Sequence, residues 1–165
     1  MLEHYIEGLL MGYDLSGYDI KQNIDNVKLL RSSYGSIYPT LKKMEKKDLI
    51  ESTEIILTGR YKKIYSINES GRKDFIEWLK QPIKITHSEE EHLIKMFFYE
   101  YISKEEIQII ITKFLKTLKD QIHRQEVVKL RIEKDFDFYK TSTMVFTISY
   151  YKFLKGWYEN FLGEL

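Results

Sequence analysis

The stretch Ser32 to Ile50, SSYGSIYPTLKKMEKKDLI, decides how the rest of the chain is read. Ile37, Leu41 and Met44 recur at i, i+4 and i+7, which makes one apolar helix face. At about 100° per residue, Gly35, Pro39, Lys42 and Lys46 fall on the opposite side, with Ser36 and Lys43 flanking and Tyr38 at the edge. One face can therefore dock on a core. The other offers a small, close-approach start followed by positive charge. From Lys28 to Lys47 there are six basic residues against one acid, Glu45, in a chain whose net charge is only +1. Such a helix suits the major groove, where its first turn meets base edges and its lysines meet phosphates. Lysines on the wet face of a helix are also common in proteins that touch only water, so the flanking segments carry weight.

Upstream, Leu2, Tyr5, Ile6, Leu9 and Leu10 mark a short amphipathic helix that Gly12-Tyr13-Asp14 breaks. Ser16 with Asp19 three residues later reads as a capping box opening a second helix through roughly Ile24. Ser33 or Ser36 caps the third helix: Pro39 sits in its first turn if Ser36 caps and bends it if Ser33 does. Downstream of Asp48, Ile50 to Leu57 and Tyr61 to Ile67 are rich in Ile, Thr and Tyr, with Thr58-Gly59-Arg60 as the turn between them. A hairpin after a three-helix unit is the order of a winged helix. Arg60, Lys62 and Lys63 at its tip would face the phosphate backbone or an adjacent minor groove. A charged tip also guards an edge strand against pairing, but the basic helix just before it favours the nucleic-acid reading.

The run Gly17-Tyr18-Asp19-Ile20, the block Gly35-Ser36-Ile37-Tyr38-Pro39-Thr40-Leu41-Lys42-Lys43-Met44-Glu45-Lys46-Lys47, then Gly59-Arg60, Lys63-Ile64-Tyr65-Ser66-Ile67 and Gly71-Arg72 resemble the PadR family of transcriptional regulators. Order and spacing agree over about the first eighty residues, and the remainder has a suitable length for that family's helical C-terminal domain. Two positions depart from the pattern. Asp48 stands where the family usually has a glycine, and the wing reads TGRYKK where relatives often carry a proline after the arginine. The resemblance implies a dimeric winged-helix repressor, and a response to small aromatic or drug-like ligands in some members.

Asn68 caps a fourth helix carrying Phe75, Ile76, Trp78 and Leu79, which ends before Pro82. The segment Gln81 to His87 is the expected boundary between a winged-helix DNA-binding domain (1–81) and a helical dimerisation domain (82–165). Beyond it, Ser88 with Glu91 and Ser103 with Glu106 read as two further capping boxes, the second opening a long helix to Ile132. A break within Asp135 to Ser142 precedes a last helix from about Thr143 to Leu162. Thr147, Tyr150, Leu154, Trp157 and Phe161 follow a 3-4-3-4 spacing there, and Phe146, Tyr151, Phe153 and Tyr158 widen the apolar face. Such a surface suits a helix packed on both its own domain and a second copy, with Phe146, Tyr150, Leu154, Trp157 and Phe161 at the homodimer interface. A two-fold pair would read half-sites one helical turn, or a multiple of it, apart. Trp157 could also line an apolar cleft for a flat effector, whose binding would rotate the reading heads out of register.

The chain has 165 residues, a 43% hydrophobic share and no cysteine, as befits globular domains in a reducing compartment. With no signal-peptide pattern at the N-terminus and no apolar run of membrane length, the expected location is the cytoplasm. His4, His87, His92 and His123 show no ligand spacing along the chain, and Glu89-Glu90-Glu91 fits a helix start better than a metal cluster. No phosphate-cradling glycine loop occurs, and Gly35-Ser36 lacks the surround of a nucleophile elbow. No reaction and no cofactor is therefore expected. The expected function is sequence-specific DNA binding as a repressor, with Ser36, Thr40, Lys42 and Lys43 near base edges and Tyr38, Lys46, Arg60, Lys62 and Lys63 at phosphates. The rival is a winged helix whose lysine face meets an acidic protein.

Overall fold

The computed structural model describes residues 1–27, 29, 34–57, 60–85, 90–132 and 136–165, with only the backbone of Tyr34, Leu57, Arg60, Glu90 and Ile132. The described elements are α1 (Leu2–Gly12), β1 (Leu15–Ser16), α2 (Gly17–Val27), α3 (Tyr34–Lys46), β2 (Ile50–Leu57), β3 (Arg60–Ile67), α4 (Glu69–Lys80), α5 (Glu90–Phe97), α6 (Lys104–Ile132) and α7 (Phe138–Glu164). The class is mainly helical with a small antiparallel sheet, as the residue pattern implies. Two compact units result: Met1–Gln81 with Ser88–Ile102, and Pro82–His87 with Ser103–Leu165.

In the first unit, the apolar stripe of α3 is fully inside. Ile37, Leu41 and Met44 are each 0% exposed, and Tyr5, Ile6, Ile20 and Ile24 of α1 and α2 are buried in the same core. Burying each such side chain contributes about 1.5–3 kcal/mol. The predicted capping box at the start of α2 forms, with Ser16 N donating to Asp19 Oδ2 (3.1 Å) and Asp19 N to Ser16 Oγ (3.3 Å). Ser36 does not cap α3. It lies inside the helix, which is already helical at Tyr34, and Ser33 lies outside the described residues. Pro39 is thus an interior proline. Its missing N–H leaves the Gly35 carbonyl without its helical donor on an exposed face, where water can serve.

After α3 the chain turns through Asp48, whose φ of 56° is left-handed. That conformation explains a glycine preference at this position; here the Asp48 carbonyl accepts from Asn68 Nδ2 at 2.9 Å. The hairpin pairs Ile50 with Ile67 through to Leu57 with Arg60. The predicted turn residues Thr58 and Gly59 lie outside the described residues. A third strand, β1, pairs Leu15 with Tyr65 and Ser16 with Ile64, giving the order β1-β3-β2. Two residues are too few to show alternation, so this strand leaves no mark in the sequence.

Asn68 caps α4 as expected, accepting from Gly71 N at 2.9 Å. Phe75 is fully buried and meets Phe98 edge-on at 5.5 Å, and Phe98 meets Tyr5 at 5.6 Å. Although Pro82 ends α4, α5 clusters with the first unit. Buried Lys95 is one reason: its ammonium donates to the Trp78 and Gln81 carbonyls, both at 2.7 Å, and lies 4.8 Å from the Trp78 ring centre. A cation on the last carbonyls of a helix satisfies groups that have no donor within the helix and complements its dipole. The Ser88–Glu91 box falls partly outside the described residues.

The second unit is an antiparallel pair of long helices. The Ser103–Glu106 box opens α6, with mutual bonds of 3.0 and 3.2 Å. Ile107, Ile110, Ile111, Phe114, Leu118 and Ile122 bury one stripe of α6 together with Ile148, Leu154 and Tyr158 of α7. The Phe114 and Tyr158 rings meet edge-on at 5.1 Å. Helix α7 starts earlier than the sequence suggests, because Asp137 caps it by accepting from Lys140 N at 2.9 Å. None of the described helices is long and apolar enough to cross a membrane.

Candidate nucleic-acid interface

Opposite its buried stripe, α3 presents Gly35, Tyr38, Pro39, Lys42 and Lys46 to solvent. Lys42 and Lys46 have no ion-pair partner among the described residues, so their charge faces outward uncompensated. Tyr38 is 51% exposed and its ring lies over Gly17. A Cβ at residue 17 would come within 2.7 Å of that ring, so the glycine that opens α2 permits the close approach. Ser36 is half-buried, and its carbonyl accepts from Thr40 Oγ1 at 2.7 Å, leaving the Thr40 oxygen as an acceptor at the same face.

Lys43, Lys62 and Lys63 are instead held by acids of the same unit. Lys43 and Lys47 both donate to Glu3 of α1, at 2.6 and 2.7 Å. Burial alone would raise the Glu3 carboxyl, but the bonds from Lys43 and Lys47 override it and hold the group below its usual range. Glu45 is the brace between α3 and the wing. It accepts from Ser52 Oγ at 2.5 Å and lies 2.9 Å from Lys63 Nζ, which also sits over the Tyr65 ring. Burial would raise Glu45 too, and its Ser52 and Lys63 partners bring it below normal. Lys62 lies 3.1 Å from Asp19 Oδ2, whose carboxyl is lowered first by the Ser16 hydroxyl and further by Lys62. The Arg60 side chain lies outside the described residues.

Among the predicted cations with described side chains, the charge without an acidic partner is therefore confined to two lysines of α3. Lys42 and Lys46 stand clear, whereas Lys43 leans toward α1 and Lys62 and Lys63 fasten the wing. Sequence reasoning missed Glu3 and Asp19 as partners, since each is distant in the chain from the lysine it holds. A consequence is measurable. Glu3→Gln frees two lysines and removes a negative charge beside them, so affinity for any duplex should rise about 3–10-fold with a steeper salt dependence. Stability should barely change, because exposed ion pairs contribute roughly 0–1 kcal/mol. Salt-dependent anisotropy that matched the wild type would show that these lysines stay away from the phosphates.

On α7, the five predicted interface residues divide. Phe146 is 72% exposed and Trp157 39%, while Leu154 is buried inside its own unit. Tyr150 and Phe161 are half-buried, and Phe161 stacks on Trp157 at 5.5 Å. Phe153, absent from the predicted set, is exposed and shares the side of Phe146 and Trp157 at a spacing of seven and four. A cavity of about 400 Å³ in this unit is lined by Lys119, Ile122, His123, Glu126, Lys152 and Lys155, and not by Trp157. Aromatic walls occur instead in a cavity of about 280 Å³ in the first unit, among Tyr13, Phe97, Phe98 and Tyr101.

Residues 8–77 match the model of the transcriptional regulator PadR-like family. The negative transcriptional regulator PadR of Bacillus subtilis is 30% identical over 131 residues, which span 76% of this chain and 68% of that protein. A crystal structure of B. subtilis PadR in complex with operator DNA is similar at 25% identity and a TM-score of 0.49, covering 99% of this chain and 98% of that one. The same protein with p-coumaric acid is similar at 24% identity and a TM-score of 0.44, covering 99% and 97%. A basic recognition helix, a braced wing and a relative matched over most of both chains lead to one assignment: the chain belongs to the PadR-like family of transcriptional regulators.

Proposed function

We propose that the protein is a dimeric repressor in the cytoplasm that occupies a promoter operator and excludes polymerase. Residues 1–81 read the DNA, and within 82–165 the helices α6 and α7 pair two copies. The observation that carries this reading is the outward face of α3, where Gly35 and Pro39 allow close approach and Lys42 and Lys46 point away from the core with no ion-pair partner among the described residues. Ser36, Thr40 and Lys42 meet base edges, Tyr38, Lys46 and Arg60 meet phosphates, and Lys62 and Lys63 place the wing. Phe146, Tyr150, Trp157 and Phe161 of α7 meet the second copy, with Leu154 supporting them from inside. The protein is not an enzyme in this reading. A small aromatic effector releases it, at Trp157 or in the aromatic cavity of the first unit, the two places where a flat ring finds aromatic faces.

The test is fluorescence anisotropy on a duplex from this gene's own upstream region, against a shuffled duplex, near physiological salt. A preference of about 10³ or more for the native duplex is expected. Equal, weak binding to both would favour a winged helix that contacts an acidic protein through Lys42 to Lys47.

A further inference from the structure

Away from the reading face, α1 and α4 bring three donors together. Glu7 is fully buried, its Oε2 lies 3.0 Å from His4 Nδ1, and its Oε1 has no hydrogen-bond partner. Asp74 of α4 completes the group, with one donor atom from each of the three residues within 4.8 Å of the others. His4 stacks on Trp78 at 4.4 Å and 10°, which fixes its ring plane. Lys47, held by Glu3, acts on both Glu7 and Asp74, yet Glu7 Oε1 stays without a hydrogen bond, an arrangement that a bound cation would relieve.

We propose that His4, Glu7 and Asp74 bind one first-row divalent transition-metal ion that ties α1 to α4. Two donors about 2.1 Å from one ion and roughly at right angles are about 3.0 Å apart, which is the His4–Glu7 separation. Asp74 is exposed on its helix, so its carboxylate has room to move in from within 4.8 Å of the other two donors and close the set. One imidazole with two carboxylates selects ions such as Mn²⁺ or Zn²⁺ over Mg²⁺, which binds nitrogen poorly, and water fills the open positions. The i, i+3 pair on α1 is incomplete without a residue from α4. The site does not depend on the DNA-reading face.

Calorimetry on the chelator-treated full chain should give saturable 1:1 binding of Mn²⁺ and Zn²⁺ and none of Mg²⁺. Asp74→Asn, at an exposed position, should weaken that binding at least tenfold, and His4→Gln similarly. Mn²⁺ should broaden the Trp78 indole resonance before that of Trp157. No saturable binding, binding that both variants retain unchanged, or broadening that spares Trp78 would each overturn the site.

Discussion

Replacing both Lys42 and Lys46 with alanine should lower operator affinity about 100-fold near physiological salt, since the proposed roles would lose a phosphate contact and a base contact together. The single variants separate the two roles. Lys46→Ala should weaken native and shuffled duplexes equally and reduce the salt slope by about 0.9, the signature of one phosphate contact. Lys42→Ala should reduce the preference for the native duplex about tenfold, because a base edge loses its donor. Lys43, Lys62 and Lys63 arrive at the interface with Glu3, Asp19 and Glu45 already beside them. Each of those cations must exchange one anion for another, so its removal changes affinity less. Salt titrations of the three variants check this, and a Lys46→Ala slope equal to the wild type would remove Lys46 from the phosphate backbone.

Gly71→Ala should destabilise the first unit by about 2–4 kcal/mol, at the upper end for added volume in a packed site. A Cβ there would lie 2.1 Å from the Leu49 carbonyl oxygen and 2.8 Å from Ile67 Cγ1. The first of these is backbone, which cannot rotate away as a side chain can. That carbonyl also accepts from Asn68 N at 3.2 Å, so the start of α4 and the turn after α3 must move together. The unfolding midpoint should fall by about 5–12 °C. Gly163→Ala is the control: nothing lies within 4 Å of its Cβ position, and alanine is the better helix former there by about 1 kcal/mol. A Gly71→Ala midpoint equal to the wild type would mean that α4 is not held against Leu49.

Much of the fold was legible because its signals are local. The stripe Ile37, Leu41 and Met44 repeats at the helical period, and all three residues are buried. Capping at Ser16, Asn68 and Ser103 depends on a residue three places away, so spacing alone reveals it. The α3 start was ambiguous because Ser33 and Ser36 both offer a hydroxyl, and Pro39 tolerates either arrangement at some cost. Leu154 reads like its neighbours along α7, and only the presence of α6 shows that it faces inward while Phe153 faces out. The site was legible as a face but not as a set of charges: which lysines stand free depends on acids brought in from other elements.

From the sequence by itself follow the winged-helix order, the outward placement of Gly35, Pro39, Lys42 and Lys46, and the family. These rest on period, capping and turn chemistry, whose range is a few residues. The tertiary structure alone decided that Glu3 holds Lys43 and Lys47, that β1 extends the sheet, that Lys95 binds α5 to the end of α4, and that His4, Glu7 and Asp74 converge. Each of these joins residues far apart in the chain, and no local pattern encodes a contact that exists only once the core has packed.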